Sequence, residues 1–255
     1  MDSETSRQQD AVLERFTRQA EHWAQLPVSG DLLGILDRIG VTPNDRVIDV
    51  AAGSGILSRA LAPRVREVVA VDITPAMLQI AREAAEEGDV RNVRFVEGAA
   101  EALPFGEDEF DLAITRFSLH HIAGPQRAVD EMVRVVRKGG RIAIIDLVAH
   151  EDAELAARAN ALERRRDPSH ATTLSWSALR GVVSTAGASI EESYTQDRVR
   201  DLEDWLDLAG ATDRDGLREI FEREIRGGEA TGLQPFRDGN AIRFHHPLGV
   251  IVARK

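Results

Sequence analysis

No cysteine occurs among the 255 residues. That excludes disulfides, thiol nucleophiles, iron–sulfur clusters and cysteine zinc sites within this chain. Lysine is nearly missing as well: Lys138 and Lys255 are the only ones among 32 basic residues. No apolar run approaches the roughly 20 residues of a spanning helix, so no membrane span is expected. The opening MDSETSRQQD is polar and lacks the apolar centre of a signal peptide, so the expected location is cytoplasmic. Positive charge is in deficit, with 43 acids against 32 bases and a net charge of −11. A general nucleic-acid binder needs a basic face, so nucleic acid is not expected as a partner.

What is present is ordinary for a soluble globular chain: 43% hydrophobic and 29% charged residues. The length suffices for one large domain over 1–255 with a full core. Residues 9–25 and about 30–39 read as helices, the first with Val12, Phe16, Ala20 and Trp23 on one face. From Asp45 onward, short β-rich apolar runs alternate with helical stretches. RVIDVAA, REVVAVDI, VRFVEG, FDLAITRFS and RIAIIDLV read as strands, and they lack the period-two alternation of a half-exposed sheet. Between them, helices are expected around 55–63, over PAMLQIAREAAEEG and over PQRAVDEMVRVVRKGG. This order predicts an α/β fold with an open, doubly wound, mostly parallel sheet, whose ligands sit at the strand ends. Beyond residue 149, helices near 151–165 and 175–187 flank a strand at ASIEESYT, residues 200–228 look helical, and RFHHPLGVIVARK closes as a strand. Segments 150–173 and 199–240 exceed plain connections and read as caps over the strand ends.

Two positions carry chemistry in the core, 45–149. Asp49-Val50-Ala51-Ala52-Gly53-Ser54-Gly55 joins the first strand to its helix, where glycines let a ligand approach the backbone. Asp49 lies inside a buried strand and needs a partner. Asp72 ends the second strand, 17 residues after Gly55, where an acid can accept both hydroxyls of a ribose. The pair suits a dinucleotide or another adenosine-containing cofactor. The third glycine of a dinucleotide loop is missing, because Ser58 occupies its place, and Ile73 and Met77 can flank an adenine.

Taken together, VIDVAAGSG, VVAVDIT, EGAAEALPF, FDLAITRFSLHHI and VRKGGRIAIIDL resemble, in order, the core of class I S-adenosylmethionine-dependent methyltransferases. The resemblance is closest to the type-11 group that includes the ubiquinone/menaquinone-biosynthesis C-methyltransferases. RFTRQAEHWA is similar to a lid helix of that group, so 1–40 would form N-terminal lid helices. The resemblance implies a seven-stranded sheet with helices on both faces, an antiparallel last strand and a helical cap made by insertions. It implies S-adenosylmethionine as cofactor and S-adenosylhomocysteine as product. By position, Asp49 would orient the methionine amino end, and Ala51, Gly53, Ser54 and Gly55 would form the loop around the methionine and ribose. Asp72 would hold the ribose, Ile73, Met77, Ala99, Ala100 and Glu101 would surround the adenine, and Arg116 would lie near the methionine. Two departures stand out: Ala51 replaces a usual glycine and is comfortable only at negative φ, and Ala99 replaces a usual aspartate.

Methyl transfer from a sulfonium needs alignment and desolvation, and a base only where the nucleophile carries a proton. His120 and His121, at the end of the fourth strand, are the candidate catalytic residues. The alternative for them is strand capping or contact with the cofactor carboxylate. Trp23, Arg166 and His170 are candidate substrate contacts, with packing, a solvated helix end and a plain turn as their alternatives. No metal site is expected. The expected partner is a small organic molecule methylated on oxygen or carbon, and a homodimer is compatible with the helical inserts. The competing function is a methyltransferase-fold protein that binds the cofactor but acts as a cyclase, isomerase or binding protein.

Overall fold

Strand residues of alternating direction meet two different apolar layers. The computed structural model describes the backbone of residues 3–24 and 30–255 and the side chains of 5–18 and 32–255. Its main sheet contains β1 (Arg46–Val50), β2 (Glu67–Asp72), β3 (Val93–Glu97), β4 (Phe110–Arg116), β5 (Val136–Leu147), β6 (Ser189–Gln196) and β10 (Leu248–Arg254). The seven strands run in the order β3-β2-β1-β4-β5-β10-β6. β1, β2, β3, β4 and β5 are mutually parallel, and β10 is antiparallel to both its neighbours. This is the predicted class I α/β arrangement.

Val47 and Val68 point to one face, where they pack with Leu32 and Leu36 of α2 (Gly30–Ile39) and Leu57 and Leu61 of α3 (Ile56–Leu61). Ile48, Val50, Val69 and Val71 point to the other, against Val129 and Met132 of α5 (Pro125–Val135) and Leu179 and Val183 of α7 (Trp176–Thr185). Both faces are covered, which explains why the strands read as unbroken apolar runs. α1 (Ser3–Ala24) packs on α4 (Pro75–Glu87). The chain turns outward in opposite directions after β1 and β4, so their carboxyl ends open a crevice.

The cap has its own core. Leu162 of α6 (Ala153–Arg166), Trp205 and Leu206 of α8 (Leu202–Ala209), Leu217 and Phe221 of α9 (Arg214–Ile225) and Phe244 are buried together. Trp205, Phe221 and Phe244 interlock with ring centroids 5.2–5.7 Å apart. Asp152 starts α6 by accepting from the amides of Glu154 and Leu155, the capping role its position implies.

Three expectations need correction. The helix expected to run to Gly140 stops at Val135, and Val136 is already extended and pairs with Phe110. Consecutive β-branched valines and Gly139, at φ +73°, favour that switch. The cap is not purely helical: β7 (Val199–Asp201), β9 (Ala241–His245) and β8 (Phe236–Asp238) form a second, antiparallel sheet. The closing strand is therefore two strands in two sheets, divided at His246-Pro247.

Candidate active site

A cavity of about 730 Å³ opens at the carboxyl ends of β1, β2 and β4, beneath α1 and the cap. It has a loop half and a cap half. In the loop half, the chain leaves β1 through Ala51 at φ +57° and Gly53 at φ +53°. The condition set for Ala51, a negative φ, is not met: this alanine is held left-handed, a conformation that disfavours any side chain. Gly55 (φ +71°) does not line the cavity. A Cβ there would come within 2.9 Å of Ala81 Cβ, so this glycine lets α3 approach α4.

Asp72 braces the loop. Its Oδ2 accepts the Gly53 amide at 2.7 Å and its Oδ1 accepts the Thr74 amide at 2.8 Å. Burial raises its pKa against these hydrogen bonds. Each oxygen retains acceptor capacity for a ligand hydroxyl. Asp49 is buried and finds its partner in Ser58, the residue in the place of the missing glycine, whose hydroxyl donates at 2.6 Å. Burial lifts the Asp49 pKa to about 7, helped by the charge of Asp72 and opposed by Ser58 and Arg116. Ala51, Gly53, Ser54, Ile73, Met77, Ala99, Ala100 and Glu101 line the same half.

The cap half is built from charged side chains. His120 lines it, and its Nδ1 donates to Asp146 Oδ1 at 2.5 Å. Asp146 also accepts the amides of Ser118 and Leu119 at 3.1 and 2.7 Å. Burial pushes the His120 pKa down, but Asp146 outweighs it, and the net shift is upward. His121, at a ring-centroid distance of 4.3 Å from His120, donates from Nδ1 to the Ser169 carbonyl at 3.0 Å. Burial and the neighbouring cations hold its pKa well below the usual histidine value, so it is neutral at pH 7.

α1 is fastened over this half. Arg15 Nε lies 2.7 Å from Asp167 Oδ1, both buried, and Gln8 donates to the His121 carbonyl at 3.0 Å. The turn at Asp167–His170 is tied in turn to His120, whose carbonyl accepts the Ala171 and Thr172 amides.

The candidate substrate residues fare differently. Arg166 is not a solvated helix end. It is 8% exposed and held by Glu163 at 3.0 Å and the Trp205 carbonyl at 3.1 Å, although it reaches the cavity wall. His170 does not line the cavity: its Nε2 donates to Asn160 Oδ1 at 2.7 Å, and burial pushes its pKa down to about 3. The Trp23 side chain lies outside the described residues. Arg116 lines the cavity, its guanidinium stacked on Phe117 at 4.5 Å, and burial and Arg198 lower its pKa to about 10. Sequence reasoning missed Asp146, Gln8, Arg15, Arg198, Arg200 and His246, all but Asp146 directly on the wall, which Asp167 of the turn before His170 also lines. Asp146 alone had a visible signal: like Asp49, it is a carboxylate inside an apolar strand.

A sheet of this order, with a glycine turn after β1, a ribose-ready acid ending β2 and an antiparallel strand between β5 and β6, defines a class I methyltransferase. The family profile described as a methyltransferase domain matches residues 48–144. YcgJ of Bacillus subtilis, named an uncharacterized methyltransferase, is 33% identical over 209 residues, 81% of this chain and 82% of that protein. The crystal structure of YcgJ matches with a TM-score of 0.81 at 30% identity, over 89% of this chain and 99% of that one. The ubiquinone/menaquinone biosynthesis C-methyltransferase UbiE of Ectopseudomonas mendocina is 38% identical over 111 residues, 42% of this chain and 43% of that protein. The chain belongs to this methyltransferase family and is an S-adenosylmethionine-dependent methyltransferase of the UbiE/YcgJ type. Among the described residues, no helix is long and apolar enough to cross a membrane.

Proposed function

We propose that this methyltransferase acts on an oxygen or carbon of a small organic acceptor held in the cap half of the cavity, with His120 as the base. The observation that carries this reading is the Asp146–His120 pair on the wall of the cavity that also holds Asp72 and the glycine turn. Bound S-adenosylmethionine supplies a methyl group on a positively charged sulfur. The loop residues fit that cofactor: Asp72 has acceptor capacity for ribose hydroxyls, and the buried Asp49 carboxylate suits an ammonium. Asp49, Ala51, Gly53 and Ser54 then surround the amino-acid end, and Ile73, Met77, Ala99, Ala100 and Glu101 the adenine.

With Nδ1 held by Asp146, Nε2 is the His120 nitrogen that takes the acceptor's proton, and Asp146 stabilises the resulting imidazolium. Among the described residues no carboxylate backs His121, which serves as a neutral wall, edge-on to Phe16 at 5.2 Å. The likeness to UbiE spans under half of each chain, so its acceptor is not carried over.

The test is calorimetric titration with S-adenosylmethionine, S-adenosylhomocysteine and NAD, followed by methyl-labelled turnover of candidate phenols and enols. Binding of both sulfur compounds but not NAD, and label transfer that His120→Ala abolishes, are expected. Full transfer by His120→Ala removes the histidine base. Bound cofactor that never yields S-adenosylhomocysteine with any acceptor sinks the transfer reading.

A further inference from the structure

β7 is inverted relative to ordinary burial. Side chains alternate along a strand, and here Val199 is the exposed one, at 46%, while Arg198 and Arg200 on either side line the cavity. Burying the Arg200 guanidinium while a valine faces outward costs desolvation, which a bound anion offsets. The surrounding charges sharpen the point. Arg116 and Arg198 both stack on Phe117, at 4.5 and 5.1 Å, and Arg198 and Arg166 repel Arg200. Burial and these neighbours lower the Arg200 pKa to about 10.

Four acids of this half are already engaged. Asp146 holds His120, Asp167 holds Arg15, Glu163 holds Arg166, and Asp207 pairs with Arg214. Asp204 is exposed. Among the described residues, neither Arg200 nor Arg116 has a carboxylate in salt-bridge contact. Phe16, Phe117, Ile122 and Leu208 add apolar wall beside them.

We propose that the methyl acceptor is an anion, an apolar body bearing a carboxylate or phosphate, and that Arg200 holds its charged group with Arg116 and Arg198 alongside. A guanidinium offers both oxyanions a two-point fork of donors. The placement puts the charged end on the cap and leaves the nucleophilic end toward His120. This rests on the methyltransferase reading for calling the ligand an acceptor; the anion site itself stands on the arginines.

The experiment titrates protein saturated with S-adenosylhomocysteine with 4-hydroxybenzoate, phenyl phosphate and the neutral methyl 4-hydroxybenzoate. At least one anion is expected to bind roughly tenfold or more tightly than the ester, the scale of one charge-assisted hydrogen bond. The tighter of the two anions identifies carboxylate or phosphate as the group recognised. Arg200→Gln should erase the preference and Arg200→Lys restore part of it, with S-adenosylhomocysteine affinity unchanged in both. An ester that binds as tightly as the anions, no binding by any of the three, or a preference that survives Arg200→Gln overturns the proposal. Loss of S-adenosylhomocysteine affinity in Arg200→Gln also overturns it, because Arg200 would then serve the cofactor. Failure of S-adenosylhomocysteine to bind wild-type protein overturns the cofactor reading instead, and the same three titrations of the cofactor-free protein then decide the arginine site.

Discussion

The two halves of the cavity are built by opposite means. The loop half centres on one backbone turn, 51–54, braced by the Asp72 carboxylate through the Gly53 amide, with short apolar side chains beside it. The cap half is a buried ionic assembly drawn from five distant stretches. Arg15 meets Asp167, His120 meets Asp146, Arg166 meets Glu163, and Arg200 enters from β7. Backbone cradles tolerate sequence drift around a few fixed positions. Ionic assemblies do not, since removing one partner leaves the other charged and dry. The loop half should therefore govern cofactor affinity, and the cap half turnover, acceptor choice and the hold on α1.

The largest effect should come from His120. His120→Ala is expected to lower kcat by about 10²–10⁴, the usual range for a general base, while cofactor affinity stays unchanged. The base acts neutral, and its pKa is raised, so kcat should rise with pH through a midpoint above the 6.5 of a free imidazole. Asp146→Asn removes the raising charge and should move that midpoint down. A large loss of S-adenosylhomocysteine affinity in His120→Ala would erase the division between the halves.

Next comes Asp167→Ala, which leaves Arg15 buried without its carboxylate. It should cost about 3–5 kcal/mol in denaturant unfolding, as for other broken buried pairs. Cleavage within α1 by a protease should accelerate in parallel. A change below about 1 kcal/mol would mean that Arg15 and Asp167 add little beyond the exposed pairs of the surface.

The difference between the halves also explains what could be read in advance. The core strands, the turn at 51–55 and Asp72 announce themselves locally, by apolar runs, glycine spacing and a carboxylate at a strand end. The cap does not. Arg200 reads as the start of a charged helical stretch until β9 pairs with Val199–Asp201 and sets it on the cavity wall. Arg166 reads as a solvated helix end until α8 covers it. Residues 136–140 read as a helical tail until Phe110 and Lys255 pair with them. In each case a contact more than 25 residues away decides, and no local pattern encodes it.

In the loop half, Asp72→Ala should weaken S-adenosylhomocysteine binding by about 1–2 kcal/mol and leave the fold's cap untouched. Asp49 gives a pH signature. With its pKa near 7 it is partly protonated at neutral pH, and a cationic ammonium beside it would favour the charged form. Cofactor binding at pH 7 should thus release a fraction of a proton and weaken as pH falls below about 7. Titration in buffers of different ionisation enthalpy measures the release. Asp49→Asn should abolish it, and a release that persists in that variant takes Asp49 out of the site.

The smallest effect tests the strain at Ala51. A left-handed alanine costs about 1–2 kcal/mol relative to glycine. The glycine substitution gives back about 0.4–1 kcal/mol through the freer unfolded chain. Ala51→Gly should therefore stabilise by a net ~0.5–1 kcal/mol, raising Tm by a few degrees. Phe117, at φ +54°, is strained in the same way but cannot serve as the test, because its ring carries Arg116 and Arg198. Ala51 carries no such cargo, so its substitution isolates the backbone. If Tm rises and cofactor affinity holds, the loop keeps its shape through Asp72 and the strain is incidental. If Tm rises while affinity falls, the methyl group itself is holding the turn in its binding shape. A lower Tm would show that this alanine's packing outweighs its backbone strain, and that the loop half depends on side chains as the cap half does.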